Sequence, residues 1–427
     1  MKYLFCCLLV VMISTGTKAQ REPDMIYMPN IGGVKLFMAG NQMGYPMINL
    51  GASMALELHF DDLDGNIKNY NYTYQLCDAD WQPADLSPLD YMQGFTQGRL
   101  NQYRVSSIAK TKYVHYQALL PNSDCTPTKS GNYLLKVFLN GDTSRLAFTK
   151  RLLILKNSVP VGAKITQPFN TQLFRTHQKV QFTIDKTKLD VMSPMQQLKI
   201  VVLQNYRWDI ASTGMQPVFM RGNLYEYSNE QDCVFPAGRE FRWVDLRSFR
   251  FQSERVDSAN LNKIPFDVYL KPDPARAQMR YLYYQSLGGF FEISATDVNN
   301  AWQQGDYANV HFIFVPSNFQ PFPDKHVYIV GELTGYRYND ATRLDYNAEK
   351  GMYEKTLLLK QGYYSYTYVT KDIKTKNAKP DATDTDGNYW ETENNYTILV
   401  YYRSLGGRSD ELVGAATINS RNFKTGF

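Results

Sequence analysis

The stretch QLCDADWQPADL, Gln75 to Leu86, gathers three carboxylates (Asp78, Asp80, Asp85), a thiol (Cys77) and an indole (Trp81). Carboxylates converging on one point would hold calcium, which takes several oxygens at about 2.3–2.6 Å. Asp78 and Asp80 alternate along the chain and could face one ion. Further ligands would need the backbone to loop back, and Pro83 restricts that path. In the other reading, Asp side chains accept from nearby backbone N–H groups and Trp81 buries its ring to anchor the loop. That second reading is preferred. A second acidic stretch, DATDTDGNYWETE (Asp381 to Glu393), sets Asp384, Asp386, Gly387 and Glu393 at the third, fifth, sixth and twelfth places of an EF-hand loop. Its first place falls on Ala382, which offers no oxygen, and its flanks read as strands and turns, so the motif is rejected.

The remaining reactive side chains do not assemble into a motif. The five histidines (His59, His115, His177, His311, His326) are scattered, most of them in strand-like runs, and no two have metal spacing. There is no Gly-x-Ser-x-Gly elbow, no Cys-x-x-Cys and no phosphate-cradling glycine loop. No catalytic residue, metal or cofactor is nominated.

Residues 1–19 read as a secretory signal peptide: Lys2 precedes the apolar YLFCCLLVVMI, and a small residue stands before Gln20. Cys6 and Cys7 lie inside the apolar run. Removing Lys2 and Lys18 lowers the formal net charge from +5 to +3. That is too small to imply nucleic acid as a partner, and no basic run interleaves with aromatics. No later segment is long and apolar enough to span a bilayer. Cys77, Cys125 and Cys233 remain after cleavage. Cys77–Cys125 is the favoured pair if a disulfide forms, and three buried reduced thiols is the equal alternative.

Aromatic residues make up 14% of the chain, with 32 tyrosines, and amphipathic helical runs are hard to find. Such residues favour pleated, half-buried surfaces, so the fold class is all-β, as immunoglobulin-like or early-set sandwiches in series. Tyr70, Tyr72 and Tyr74 alternate with Asn71, Thr73 and Gln75, the period of a strand. Asn140-Gly141 marks a hairpin turn, and SGNY (Ser130 to Tyr133) looks like a tyrosine corner. Expected boundaries follow the linker signals: an N-terminal sandwich over 20–157, a middle one over 158–315 and a C-terminal one over 316–427. The second boundary rests on the three prolines of PSNFQPFPD, which cannot form a central strand.

The C-terminal unit, from VYIVGELTGY onward, resembles early-set modules that bind glycogen and related glucans. Those modules grip sugar with exposed tryptophans. Tyr336 stands at the matching place, and Trp390 is the one tryptophan of the region. An exported glycan-binding module is therefore the alternative function, with Tyr336 as its contact. A wider resemblance covers nearly the whole mature chain. CDADWQPADL, YMQGF, YVHYQALLPN, SGNYLLKVF, GELTGY and ENNYTILVYYRSLGGRSDELVG occur in the order found in the plug family of the type IX secretion system. The resemblance implies a non-enzymatic periplasmic protein at the inner face of the outer membrane, monomeric within a hetero-complex. It would bind the periplasmic mouth of the translocon barrel and block its pore. Asp78, Asp80, Trp81, Gly131, Tyr133 and Gly331 carry over as structural signature or docking loop. NSRNFKTGF does not look like a type IX sorting strand, so retention beneath the outer membrane is expected.

Overall fold

A computed structural model describes residues 22–422, so the leader lies outside the described residues. The chain is nearly all β, with three four-residue helices and one 3-10 turn among the described residues. Its strands enclose three main apolar cores.

The first core lies between two sheets. One orders Ile31–Met38, Leu56–Asp62, Val114–Leu120 and Gln102–Val105; the other orders Met47–Asn49, Leu146–Leu155, Gly131–Leu139, Tyr70–Cys77 and Gly98–Arg99. Tyr70, Tyr72 and Tyr74 are buried while Asn71, Thr73 and Gln75 are half-buried, as alternation requires. A buried hydroxyl needs a partner. Tyr70 donates to Asp62 (2.8 Å) and Tyr72 to Asn122 (2.8 Å). Gly131–Leu139 and Leu146–Leu155 pair antiparallel across Asn140 and Gly141, both left-handed. Tyr133 Oη donates to the Lys129 carbonyl (2.9 Å), the bond that defines a tyrosine corner.

Strand pairing departs from the serial order expected of the other two units. The second core takes Val161–Thr166, His177–Asp185, Leu224–Tyr227 and Phe219–Arg221 on one side. On the other it takes Arg207–Thr213 and Leu198–Gln204 together with Asn395–Tyr402 and Glu411–Asn419, strands placed by the sequence in the C-terminal unit. Leu198 to Gln204 register against Tyr402 to Tyr396 without a break. The third core draws Arg242–Asp245 through Tyr307–Val315, expected in the middle unit, together with Lys325–Val330, Met352–Lys360 and Tyr363–Asp372. Tyr307–Val315 pairs directly with Met352–Lys360 across the expected boundary at 315/316. That boundary is corrected. The prolines of 316–324 do exclude a strand, but the segment is a connection inside one sandwich. The third core is thus inserted into the second, whose strands come from both sides of it.

Candidate functional site

The CDADW loop leaves the end of Tyr70–Cys77 and closes on itself. Trp81 N–H donates to the Asp78 carbonyl (2.9 Å), Asp78 N–H to the Gln82 carbonyl (2.8 Å) and Gln82 N–H to Asp80 Oδ1 (3.1 Å). The turn holds Trp81 at φ +67°, rare for a bulky residue. Its indole is buried edge-on against Trp208 of the second core, with centroids 4.9 Å apart, and the Arg151 guanidinium lies 4.9 Å from the Trp81 ring and 5.5 Å from the Trp208 ring.

The carboxylates of this loop do not converge. Asp78 Oδ1 accepts from the Asp410 N–H (3.0 Å) and Oδ2 pairs with Arg403 (2.6 Å). Asp410 reciprocates, accepting from the Ala79 N–H (2.9 Å) and pairing with Lys199 (2.9 Å) and Arg403 (2.7 Å). Burial pushes the Asp410 carboxyl up, but the Ala79 N–H, Arg403 and Lys199 outweigh it and hold its pKa below the usual value. Asp80 only caps its own turn, and Asp85 is exposed. The loop is a clasp between the first and second cores. Asn132 completes it, donating to the Asp78 carbonyl (3.1 Å) and accepting from Tyr401 Oη (2.7 Å). Gly131 sits in the same joint at φ +145°, where a Cβ would lie 3.0 Å from the Asp410 carbonyl oxygen. Beneath the polar contacts Cys77, Leu134, Leu153, Val201, Leu203, Leu399 and Leu412 form a shared apolar layer.

A second joint binds the first core to the third, and sequence reasoning missed it. Lys35, fully buried, pairs with Glu332 (2.7 Å) and donates to the Phe291 carbonyl. Glu332 follows Gly331 in the 3-10 turn. A Cβ on Gly331 would lie 2.7 Å from the Ser365 carbonyl oxygen, so close approach requires glycine there. Deeper in, Asp61 accepts from Lys360 (2.5 Å), Tyr307 Oη (2.6 Å) and His115 Nδ1 (2.7 Å). The far nitrogen of His115 meets His59 Nδ1 at 3.0 Å, His59 Nε2 lies 3.1 Å from Glu57, and Trp302 stacks on His59 at 4.1 Å. Burial, then the neighbouring His115, pushes His59 down to about 4. Burial also lowers His115, against the opposing pull of Asp61. The two histidines come from adjacent strands and are far apart along the chain, so linear spacing carried no sign of them.

The EF-hand-like stretch disperses its oxygens. Asp386 is buried between Arg242 (2.6 Å) and Arg276 (2.9 Å) and accepts from Thr367 (2.6 Å), while Asp384 pairs with Lys325 (2.5 Å) and Glu393 accepts from Tyr283 (2.9 Å). Among the described residues no group of three or more His, Cys, Asp or Glu side chains has a metal-binding arrangement. Cys77, Cys125 and Cys233 are all buried and free.

Tyr336, the expected sugar contact, faces inward. It is half-buried at φ +52°, its hydroxyl is lodged where a Cβ on Gly289 would come within 2.5 Å, and the Arg207 guanidinium lies 5.4 Å from its ring centre. With Tyr45, Tyr206, Trp208, Phe290 and Tyr338 it lines a cavity of about 380 Å³ where all three cores meet. An exposed sugar platform needs a ring turned to solvent, so the assignment of Tyr336 as a glycan contact is corrected. It is a packing residue of the three-way junction. Of the signature residues, Asp78, Trp81 and Gly131 stand at contacts between cores, Gly331 packs within the third core beside Glu332, Tyr133 belongs to the first core, and Asp80 shapes the loop.

Residues 31–156 match the family described as the type 9 secretion system plug protein first domain. The whole chain is similar to the crystal structure of a hypothetical protein from Parabacteroides merdae, at 31% sequence identity and a TM-score of 0.88, over 93% of this chain and 99% of that one. No curated protein matches it in sequence. With its first sandwich matched to the plug domain and 93% of its chain aligned to a relative at 31% identity, the protein belongs to the type IX secretion system plug family.

Proposed function

We propose that the protein is a non-enzymatic periplasmic subunit that seals the periplasmic opening of the type IX outer-membrane translocon barrel. The observation that carries this reading is the match of residues 31–156 to the plug domain, in a chain whose other two cores are held to that domain by charged joints, Lys360–Asp61 to the third and Arg403–Asp78 with Ala79–Asp410 to the second. A body that occludes an aperture must resist bending at its joints. Charge-assisted hydrogen bonds between buried partners, fixed in geometry, supply that resistance. Among the described residues no helix is long and apolar enough to cross a membrane, which agrees with a subunit docked on a channel.

Affinity purification of the tagged protein tests the reading. The barrel is expected to co-purify when the cargo-accepting shuttle protein is absent and to be lost when the shuttle engages. A strain lacking the protein is expected to become permeable to bulky dyes and antibiotics while still exporting cargo. Unchanged permeability in that strain would remove the sealing role.

A further inference from the structure

We propose that the cavity where the three cores meet binds a small aromatic monocarboxylate, with its ring against the aromatic walls and its charge on Lys150. The site is separate from the sealing reading and does not rest on it.

The charges around the cavity leave one cation over. Four carboxylates line it, and each holds a cation of its own. Asp24 pairs with Arg151 (2.5 Å), Glu332 with Lys35 (2.7 Å), Asp209 with Arg207 (2.6 Å) and Glu22 with Arg337. Lys150, on Leu146–Leu155, also lines the cavity. Among the described residues its one carboxylate contact is Asp24 Oδ1 at 3.9 Å, beyond hydrogen-bond reach. Both Asp24 oxygens are already engaged by Arg151. The Lys150 side chain is only 15% exposed. Burial lowers the Lys35 pKa against the pull of Glu332, and Lys150 lowers it further, so the two ammonium groups repel. A largely desolvated cation in this position is stabilised by an incoming anion.

The walls select the body of the ligand. Tyr45 and Tyr206 stack with centroids 4.5 Å apart and 7° between planes, and Phe290 meets Tyr206 edge-on at 5.8 Å. Asn205 (φ +51°) and Tyr206 (φ +57°) form the two-residue turn between Leu198–Gln204 and Arg207–Thr213. The second place of such a turn favours glycine. A tyrosine held there is strained, and strain of this kind concentrates at ligand clamps. Here it sets the ring on the cavity. Tyr336 packs the junction with its ring, while its buried hydroxyl has no hydrogen-bond partner among the described residues. These rings are half-buried, so the cavity opens to water.

A volume of about 380 Å³ lies near the lower end of the roughly 300–1,000 Å³ of ligand pockets. A helix, about 10–12 Å across, does not enter. A cationic ligand would meet Lys150 and find every lining carboxylate engaged. A neutral ligand would leave Lys150 unpaired. Inorganic phosphate would leave the apolar walls unused, and an alkyl acid would forgo stacking. An aromatic carboxylate satisfies the cation and the walls together.

Calorimetric titration of the purified full chain with naphthoate tests the proposal. Naphthoate is expected to bind with a Kd of about 10–100 µM. Naphthalenemethanol, with the same rings and no charge, and decanoate, with the charge and no ring, are each expected to bind about tenfold more weakly or worse. Lys150→Gln and Tyr206→Gly are expected to weaken naphthoate binding about tenfold, and Lys150→Arg to keep it. Because all three cores wall the cavity, naphthoate at about ten times its Kd should raise the melting midpoint by about 2 °C. Absence of naphthoate binding up to about 1 mM overturns the proposal. Equal binding of the alcohol or of decanoate overturns it as well. So does binding that survives both Lys150→Gln and Tyr206→Gly, which would place the ligand elsewhere. Should a variant fail to fold by circular dichroism, the comparison of the three ligands on the wild-type protein decides.

Discussion

Asp410 is the residue on which the first joint turns, because its carboxylate accepts from the Ala79 N–H of the first core and from Lys199 and Arg403 of the second, while its own N–H donates to Asp78. Asp410→Ala strands the buried Ala79 N–H and removes one carboxylate partner from each of Arg403 and Lys199. It should destabilise the protein by about 3 kcal/mol, read as a lower denaturant midpoint. Asp80→Ala, two residues from Asp78 in the same acidic loop, removes only a local turn bond and should stay within about 0.5 kcal/mol. The sequence could not rank these carboxylates. The partners of Asp78 lie more than three hundred residues away in the chain, and only the fold brings them together.

The histidine pair gives a sign to the pH dependence. Folding lowers the pKa of both His59 and His115, so the unfolded chain binds more protons below about pH 6.5. Stability is therefore complete above about pH 6.5 and falls as the pH drops toward 4. The loss from His59 alone should reach about 3 kcal/mol, from its fall to about 4. Glu57 and Asp61 draw protons toward the pair and Lys360 opposes them. Asp61 itself, held below the usual carboxylate value against burial by Lys360 and His115, adds its own loss only below about pH 4. Thermal unfolding scanned from pH 7.5 to 4.5 should show this slope, and a His59→Gln, His115→Gln variant should flatten it.

Elements that declare themselves locally were legible: the Tyr70–Tyr74 alternation, the Asn140-Gly141 turn and the tyrosine corner each rest on contacts within a few residues or one hairpin. The affiliation of a strand was not legible. Asn395–Tyr402 reads as a strand from its composition, but nothing in it says whether its neighbour is close in the chain or some two hundred residues back at Leu198–Gln204. The prolines of 316–324 were read correctly as a break in a strand and wrongly as a break between units. A fragment ending at residue 387 should therefore lose the second core. Limited proteolysis should cleave within 159–237 of that fragment while leaving those residues intact in the full chain.

At the scale of the whole molecule, the first and second cores share an apolar layer, the first and third share buried ion pairs, and all three border one cavity. Cores coupled in this way should melt together. Calorimetry should show a single transition at pH 7.5, and Asp410→Ala should split it by freeing the second core from the first. The aromatic walls of the cavity come from all three parts of the chain, which is why the inward turn of Tyr336 escaped sequence reasoning.

The insertion of the third core into the second also sets an order on assembly. Glu411–Asn419 closes a sheet whose first two strands, Leu198–Gln204 and Arg207–Thr213, were translated some two hundred residues before it. Until that strand arrives, the far side of the clasp is missing, because Asp410 and Arg403 arrive with the same segment. A polypeptide released short of residue 410 would leave the Asp78 carboxylate and the Ala79 N–H without their Asp410 partners and would be open to proteases. The architecture thereby proofreads its own completion: only chains that carry residues 395–419 can close the second core and its clasp to the first.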